Sequence, residues 1–286
     1  MNKFIIGIGS QRAGSTMLHK LIASCSDVYM HGIKELHYFD TKYDLRGRAT
    51  LVDFSSRQLD REIGNLVNKD DLQLSKEYRA YLRANLILKN NDIDNIDYLD
   101  LFRPCLKDYY FLGEITPEYM LLPDEGVEDM KKVLGDDTKI IIIVRNPIDR
   151  IISAYKLKSF YGTNGKSYDI NVSKGIKNEL ELNSQWLLQQ DQFNNYTDSI
   201  KRFSKYFDNL LILSYEGMVS NPKLFVGKLA CFLDVPFDSN KACGLLTQKT
   251  NSFGDMSTID DHLYELLQER YKDSLELTKD IHSEYI

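Results

Sequence analysis

The chain has 286 residues and a formal net charge of −6, and 43% of its residues are hydrophobic against 27% charged. This length allows a substantial buried core, and the lack of Pro/Gly-rich linkers or low-complexity tracts predicts one domain over residues 1–286. The acidic balance argues against nucleic acid or an anionic membrane surface as the main partner, because such binders usually carry a basic stripe.

The first apolar run of the chain, Phe4–Ile6, stops at Gly7, and polar residues follow from Ser10. This run is too short for a signal-peptide core or a membrane span, so we expect a cytoplasmic protein. The cysteines are widely scattered, and no histidine stands at metal-ligand spacing from them. We therefore expect no metal site and reduced thiols at Cys25, Cys105, Cys231 and Cys243.

Three short β-branched runs alternate with helical patterns along the chain. The predicted strands are Phe4–Ile8, Lys139–Val144 and Leu210–Leu213, and helices are predicted to begin near Ser15, Pro147 and Pro222. Strands that are apolar on both faces and are each followed by an amphipathic helix indicate a parallel sheet covered by helices. The predicted fold class is therefore α/β, with a central parallel sheet flanked by helices.

The segment from about residue 41 to residue 110 has a different character. It is rich in charged residues and tyrosine, is interrupted at Asn90–Asp92, and shows helical patches such as Lys76–Leu88. We interpret this variable segment as a helical insertion over the edge of the sheet.

The residues between the first strand and its helix form a phosphate-loop pattern. Gly9–Thr16 has the length and glycine placement of a P-loop, in which backbone N–H groups and the helix dipole hold an anion. The lysine of the ATP-binding version is missing, because Ser15 stands at its position, and Arg12 supplies the positive charge instead. A tight turn without a ligand is the alternative interpretation of this segment alone.

A second anion site is predicted at the end of the strand Lys139–Val144. Arg145 closes this strand where a nucleotide triphosphatase would place a carboxylate for magnesium, and Asn146 is a candidate N-cap of the next helix. Ser153 follows on that helix. A surface ion pair is the simpler role for a lone arginine, but two anion sites in one sheet can share a ligand. We therefore expect a phosphate-containing ligand and no metal.

These two segments together resemble the PAPS-dependent sulfotransferase family, where PAPS is 3′-phosphoadenosine 5′-phosphosulfate. Gly9–Thr16 is similar to the loop that binds the 5′-phosphosulfate, and Val144–Tyr155 is similar to the segment that binds the 3′-phosphate. The resemblance implies that Arg145 and Ser153 grip the 3′-phosphate. It also implies donor contacts from Gln11, Arg12, Ala13, Gly14, Ser15 and Thr16.

Three further segments resemble the carbohydrate (heparan-type) and tyrosylprotein branches of the family. They are Lys34–Asp40, Gly113–Tyr119 and Leu211–Glu216. The first implies that Glu35 is the general base and that His37 is a reserve base or a donor that orients the acceptor. In the second, Ile115 replaces the lysine of the family. A looser match near the C-terminus implies a nucleotide contact from Lys249.

The resemblance implies a P-loop-like enzyme that transfers a sulfuryl group from PAPS to a hydroxyl or amine, by in-line attack and without a metal. Arg12, Ser15 and Thr16 are suited to the leaving phosphate. A saccharide or glycan acceptor fits the segments best, and it would dock in the region of residues 41–110. One alternative is a P-loop nucleotide or small-molecule kinase, which the missing lysine and magnesium carboxylate disfavour. The other is a non-catalytic nucleotide-binding protein.

Overall fold

The structure is a computed structural model that describes residues 3–68, 74–162, 171–247 and 259–286. Within these residues the strands are β1 (Lys3–Gly9), β2 (Val28–Met30), β3 (Phe111–Ile115), β4 (Lys139–Val144) and β5 (Leu210–Ser214). They form a five-stranded sheet in the order β2-β3-β1-β4-β5. Both β1 and β2 run parallel to β3. The predicted α/β fold with a central parallel sheet is confirmed.

Helices connect the strands. Those that precede β4 are α1 (Ser15–Ile22), α2 (Tyr38–Lys42), α3 (Arg48–Val67), α4 (Lys76–Asn90) and α5 (Asp124–Leu134). Those that follow β4 in the described ranges are α6 (Pro147–Gly162), α7 (Val172–Glu181), α8 (Gln185–Asn194), α9 (Tyr196–Ser204), α10 (Tyr215–Ser220), α11 (Pro222–Leu233), α12 (Ser239–Thr247), α13 (Asp261–Arg270) and α14 (Lys272–Ser283). Short 3-10 helices occur at Ile93–Asn95, Tyr98–Leu101, Arg103–Cys105 and Pro117–Leu121.

The internal contacts of the chain divide it into two compact units. The first unit comprises Met1–Ile8, Leu18–Ile141 and Arg202–Leu211, and the second comprises Gly9–Met17, Ile142–Lys201 and Ile212–Ile286. The core of the first unit is rich in aromatic pairs with edge-to-face geometry, such as Phe4 with Phe102 and Tyr38 with Phe39. The second unit contains an aliphatic core cluster that includes Ile148, Ile151, Ile176, Leu187, Leu263 and Leu267.

The structure agrees with the sequence on three strands and on the start of their helices. β4 has the predicted bounds, and its residues from Ile140 to Val144 have no exposed surface, as expected for a strand covered on both faces. Two differences stand out. The sequence pattern predicts neither β2 nor β3, and α10 begins at Tyr215, immediately after β5, ahead of the helix predicted at Pro222. The region of residues 41–110 contains α3 and α4, so its helical character is as predicted.

No helix in the described ranges is both long and apolar enough to cross a bilayer. The four cysteines carry free thiols, as expected, and two of them, Cys25 and Cys105, are buried. Burial raises the pKa of each of these two thiols to about 11, so both are neutral at physiological pH. A neutral buried thiol is a small apolar side chain and not a nucleophile.

Gly7 on β1 lies opposite Ile115 on β3. Ile115 is fully buried, and a Cβ atom built on Gly7 would come within 2.6 Å of its Cγ2 atom. The side chain of Ile115, the residue that replaces the family lysine, therefore packs directly on the backbone of β1. A glycine at position 7 is required by this close approach.

We expect Gly7→Ala to lower the free energy of unfolding by about 1–3 kcal/mol, because overpacking forces the Ile115 side chain or the strand to shift. Ile115→Ala removes the obstructing atoms, so Gly7→Ala should cost clearly less in that background. Urea unfolding of the wild type, both single variants and the double variant measures this coupling. Additive effects of the two substitutions would show that the contact with Ile115 does not constrain Gly7.

Candidate active site

The phosphate loop follows β1 and leads into α1. Ser10 N donates to the Ile143 carbonyl at 2.8 Å, which ties the loop to β4. Arg12 and Gly14 have left-handed backbone conformations, with φ of 66° and 89°. A Cβ atom on Gly14 would lie 2.7 Å from Met218 Cε, so both its backbone angle and its surroundings require glycine. Arg12 is strained by comparison, and such outliers cluster at sites that bind ligands.

The structure brings three of the predicted donor-binding residues together in the second unit. Arg12 Nε donates to Ser153 Oγ at 3.0 Å, and Arg145 Nη1 donates to the Arg12 carbonyl at 2.8 Å. Arg145 directly follows β4, and Ser153 lies on α6. The loop, the strand end and the helix therefore converge at one point.

Aromatic and backbone contacts hold Arg145 in place. Its guanidinium carbon lies 4.4 Å from the centroid of the Tyr215 ring, and the Tyr196 hydroxyl donates to its carbonyl oxygen at 2.8 Å. Its Nε is buried and has no hydrogen-bond partner among the described residues, in which Arg145 also forms no ion pair. A guanidinium that is stacked on an aromatic ring and keeps a donor unused is suited to binding an anion.

Positive charge accumulates where these residues meet. Burial lowers the pKa of Arg12, and the adjacent positive charge of Arg145 lowers it further. Two guanidinium groups so close repel each other, and a bound anion would relieve that repulsion. The start of α6 adds positive potential, and Asn146 caps it as predicted by accepting from the backbone N–H groups of Ile148 (2.9 Å) and Asp149 (3.3 Å).

The other predicted donor-binding residues differ in exposure. Ala13 and Ser15 are buried, whereas Gln11, Gly14 and Thr16 are half-buried. Lys249 lies outside the described residues, so its predicted contact stays a prediction.

Glu35 and His37 lie in the first unit, in the connection between β2 and α2. The fully buried carboxylate of Glu114 on β3 fixes this connection by accepting from Leu36 N at 3.0 Å. Tyr38 N donates to the Tyr119 hydroxyl at 3.1 Å. The backbone on both sides of His37 is thereby attached to β3 and to the 3-10 helix that follows it.

His37 interacts with a carboxylate at each ring nitrogen. Its Nδ1 lies 2.7 Å from Asp40 Oδ2, and its Nε2 lies 3.4 Å from Glu35 Oε2. Burial lowers the pKa of His37, but hydrogen bonds to Asp40 and Glu35 outweigh burial and raise it to about 10. Burial raises the pKa of Glu35, but the hydrogen bonds and charges of His37 and Lys34 lower it to about 2. At neutral pH, Glu35 is therefore a carboxylate and His37 is an imidazolium.

A sequence profile of the sulfotransferase family matches residues 4–239, which is most of the chain. The chain belongs to the sulfotransferase family. No curated protein matches the sequence at a significant level.

Solved sulfotransferase structures share the fold of this sulfotransferase. The sulfotransferase from Alicyclobacillus acidocaldarius has a TM-score of 0.60 at 16% identity, covering 100% of this chain and 98% of its own. The sulfotransferase domain from the curacin biosynthetic pathway has a TM-score of 0.55 at 16% identity, with 98% of both chains covered. The corresponding domain from the Synechococcus PCC 7002 olefin synthase has a TM-score of 0.56 at 20% identity, covering 97% of this chain and 94% of its own.

Two further acidic residues, which the sequence pattern does not identify, lie beside Glu35 and His37. The four side chains form the Glu35 cluster. Asp40 lies on α2 beside His37, and Glu118 lies just after the Thr-Pro turn that ends β3. The ligand-type atoms of Glu35, His37 and Glu118 all lie within 4.8 Å of one another. Both acids belong to segments that carry the family resemblance, and their proximity to His37 is the signal that only the structure supplies.

We expect the His37 imidazole to remain doubly protonated between about pH 6 and pH 8.5, because two carboxylates stabilise its charge. Because its pKa is raised above the unfolded value of 6.5 to about 10, this charge stabilises the fold fully below pH 6.5. The contribution is lost as the pH rises through about 10. NMR titration of the histidine ring protons measures this pKa.

Asp40→Asn removes the charge of one of the two partners and should lower the pKa of His37. His37→Asn assigns the signal, because asparagine tolerates the left-handed backbone found at this position, where φ is 51°. Titration of His37 near pH 6.5 in the wild type would contradict the charges described for the cluster.

Proposed function

We propose that this sulfotransferase moves a sulfuryl group from PAPS to a hydroxyl or amine of an acceptor, with a carbohydrate hydroxyl as the preferred acceptor. The proposal rests on the hydrogen bonds that connect Arg12 with Ser153 and Arg145 with Arg12. A donor nucleotide with a 5′-phosphosulfate and a 3′-phosphate needs two neighbouring anion sites. Guanidinium groups, a hydroxyl and two helix starts provide suitable donors for both.

In the proposed complex the loop residues Gln11–Thr16 hold the 5′-phosphosulfate, while Arg145 and Ser153 hold the 3′-phosphate. Arg12 stabilises the negative charge that develops on the leaving phosphate, and Lys249 adds a donor contact. The protein contributes to this step by positioning the donor and by stabilising charge. Tyr215 keeps the guanidinium of Arg145 oriented through their stacking contact.

The acceptor proton goes to Glu35 in this proposal. As the acceptor oxygen bonds to sulfur, its O–H bond breaks and the proton passes to the Glu35 carboxylate, while the bond from sulfur to the 5′-phosphate oxygen breaks. We assign the base to Glu35 and not to His37, because a doubly protonated imidazole has no free lone pair. Its role is to hold and orient the carboxylate of Glu35.

We assign acceptor docking to the region of residues 41–110. A cavity of about 550 Å³ in the first unit supports this assignment, and it is lined in part by Tyr29, Tyr78, Tyr81 and Tyr109. The rings of Tyr78 and Tyr81 are stacked, with their centroids 6.1 Å apart. Aromatic walls with a few polar groups are typical of pockets for ring-shaped ligands such as sugars.

Adenosine 3′,5′-bisphosphate, the product left by PAPS, should bind at least about tenfold more tightly than ADP, because ADP lacks the 3′-phosphate. Arg145→Ala should remove most of this preference, weakening the bisphosphate by about 10- to 100-fold at an almost unchanged melting temperature. Isothermal titration calorimetry and thermal unfolding provide the two measurements.

Arg145→Lys is the matched control for charge. It keeps one positive charge but loses the planar stacking on Tyr215, so intermediate affinity is expected. Equal affinity of the wild type for the two nucleotides would refute the proposed donor. A lowered melting temperature with unchanged affinity in Arg145→Ala would mean that this arginine only stabilises the fold.

Glu35→Gln should leave the affinity for adenosine 3′,5′-bisphosphate unchanged while turnover falls by about 10²–10⁴-fold, since glutamine keeps the size of the side chain but cannot take a proton. Transfer from radiolabelled PAPS to N-acetylglucosamine and glucosamine measures turnover. Glu35→Asp, which keeps the carboxylate, is the control and should retain part of the activity. Near-normal turnover of Glu35→Gln would remove Glu35 from the role of base.

A further inference from the structure

Glu118 faces the Glu35–His37 pair from a different part of the chain. It lies on the 3-10 helix Pro117–Leu121, directly after β3, and this short helix packs against α2. The ligand-type atoms of Glu118, Glu35 and His37 lie within 4.8 Å of one another. The two carboxylates therefore both lie close to one imidazolium.

Within the described ranges, one oxygen of the Glu118 carboxylate contributes no hydrogen bond to the fold. Its Oε2 atom is buried and has no hydrogen-bond partner among the described residues. Glu114, on the strand just before it, shows the contrast, because several donors in the fold satisfy its carboxylate. A buried carboxylate oxygen without a partner is costly, and such groups need an explanation beyond stability.

The charged groups around Glu118 come from each neighbouring element. His37 and Glu35 face it from the connection after β2, and Asp40 faces it from α2. Arg202 donates to the Met120 carbonyl, which lies on the 3-10 helix of Glu118. Burial raises the pKa of Glu118 to about 6. The positive charge of His37 opposes this rise, and the charges of Glu35 and Asp40 add to it.

We infer that Glu118 is a positioning residue of the proton-accepting centre, whose negative charge raises the affinity of Glu35 for a proton and so opposes the lowering effect of His37 and Lys34. The inference rests on the proposed function. Without Glu118, the Glu35 carboxylate would face the cations His37 and Lys34 with less opposing negative charge, and its affinity for a proton would fall. A general base becomes more effective as its pKa approaches the working pH, so a charge that raises the low pKa of Glu35 favours uptake of the proton.

Glu118 itself forms and breaks no bond in the transfer step. The acceptor O–H bond breaks and its proton passes to Glu35. At the same time a bond forms between sulfur and the acceptor oxygen, and the bond from sulfur to the 5′-phosphate oxygen breaks. Glu118 acts on this step through space, by repelling the charge of ionised Glu35 and by sharing the charge of His37. Protonation of Glu118 removes this effect.

The pH profile of kcat/KM, with PAPS and the same two amino sugars, tests the inference. The wild type should lose activity as the pH falls through about 6, where Glu118 becomes protonated. Glu118→Gln should be about three- to tenfold less active at pH 8 and should lack this acidic limb, whereas Glu118→Asp should retain the limb. A purely structural role would lower activity while leaving the limb in place, and that result would overturn the inference.

NMR titration of His37 provides a readout that does not depend on turnover. Glu118→Gln removes a negative charge from the imidazolium and should lower its pKa, and an unchanged value would overturn the inference. If the wild type transfers no sulfuryl group from PAPS, the proposed function fails, but the His37 titration still reports whether Glu118 acts on the cluster. If EDTA abolishes turnover and a divalent cation restores it, the three side chains are metal ligands and the inference is wrong.

Discussion

The arrangement of Glu35 and His37 depends on one buried interaction, the hydrogen bonding of the Glu114 carboxylate. It accepts from the hydroxyls of Thr116 and Tyr119 at 2.6 Å each, from the Tyr98 hydroxyl at 3.1 Å, and from Leu36 N at 3.0 Å. Burial raises the pKa of Glu114, and these bonds oppose the rise. Burying a carboxylate is costly unless its lone pairs are satisfied, and the Leu36 bond that helps to satisfy Glu114 also fixes the connection that carries Glu35 to β3.

This fixed backbone allows like charges to be held close together. Asp40, Glu35 and Glu118 surround a single imidazolium, and their repulsion would separate flexible side chains. His37 compensates part of their charge and stays protonated for that reason. The cluster can therefore gain a proton only at a carboxylate, which is the property that uptake of a proton from an acceptor requires. The proposed proton transfer to Glu35 thus depends on the hydrogen bonding of Glu114.

Strands and helices with a clear local sequence pattern could be predicted from the sequence. Strands that depend on pairing with other strands could not. β4 is a continuous apolar run, and Asn146 followed by proline marks a helix start within two residues. β2 has only three residues, and β3 contains a glycine and the buried Glu114, so neither shows a strand pattern. Their strand character comes from pairing, in which Met30 lies opposite Gly113.

The same distinction holds for the site. Arg12, Arg145 and Ser153 stand in motifs whose spacing predicts a phosphate ligand, and the structure brings them into contact. Glu118 belongs to a motif too, but its proximity to His37 arises from the pairing of β2 with β3, which carries the segments after the two strands to the same place. No local pattern encodes that distance.

The replacement of the family lysine by Ile115 bears on the acceptor through the balance of charge. Ile115 is buried against the backbone of β1, so its position contributes no cation. Lys34 and His37 are then set against the three carboxylates of the Glu35 cluster. A polyanionic acceptor would be repelled by this excess of negative charge, whereas a neutral sugar or an amine would not. The proposed carbohydrate acceptor is accordingly best taken as uncharged or amine-bearing where it meets Glu35.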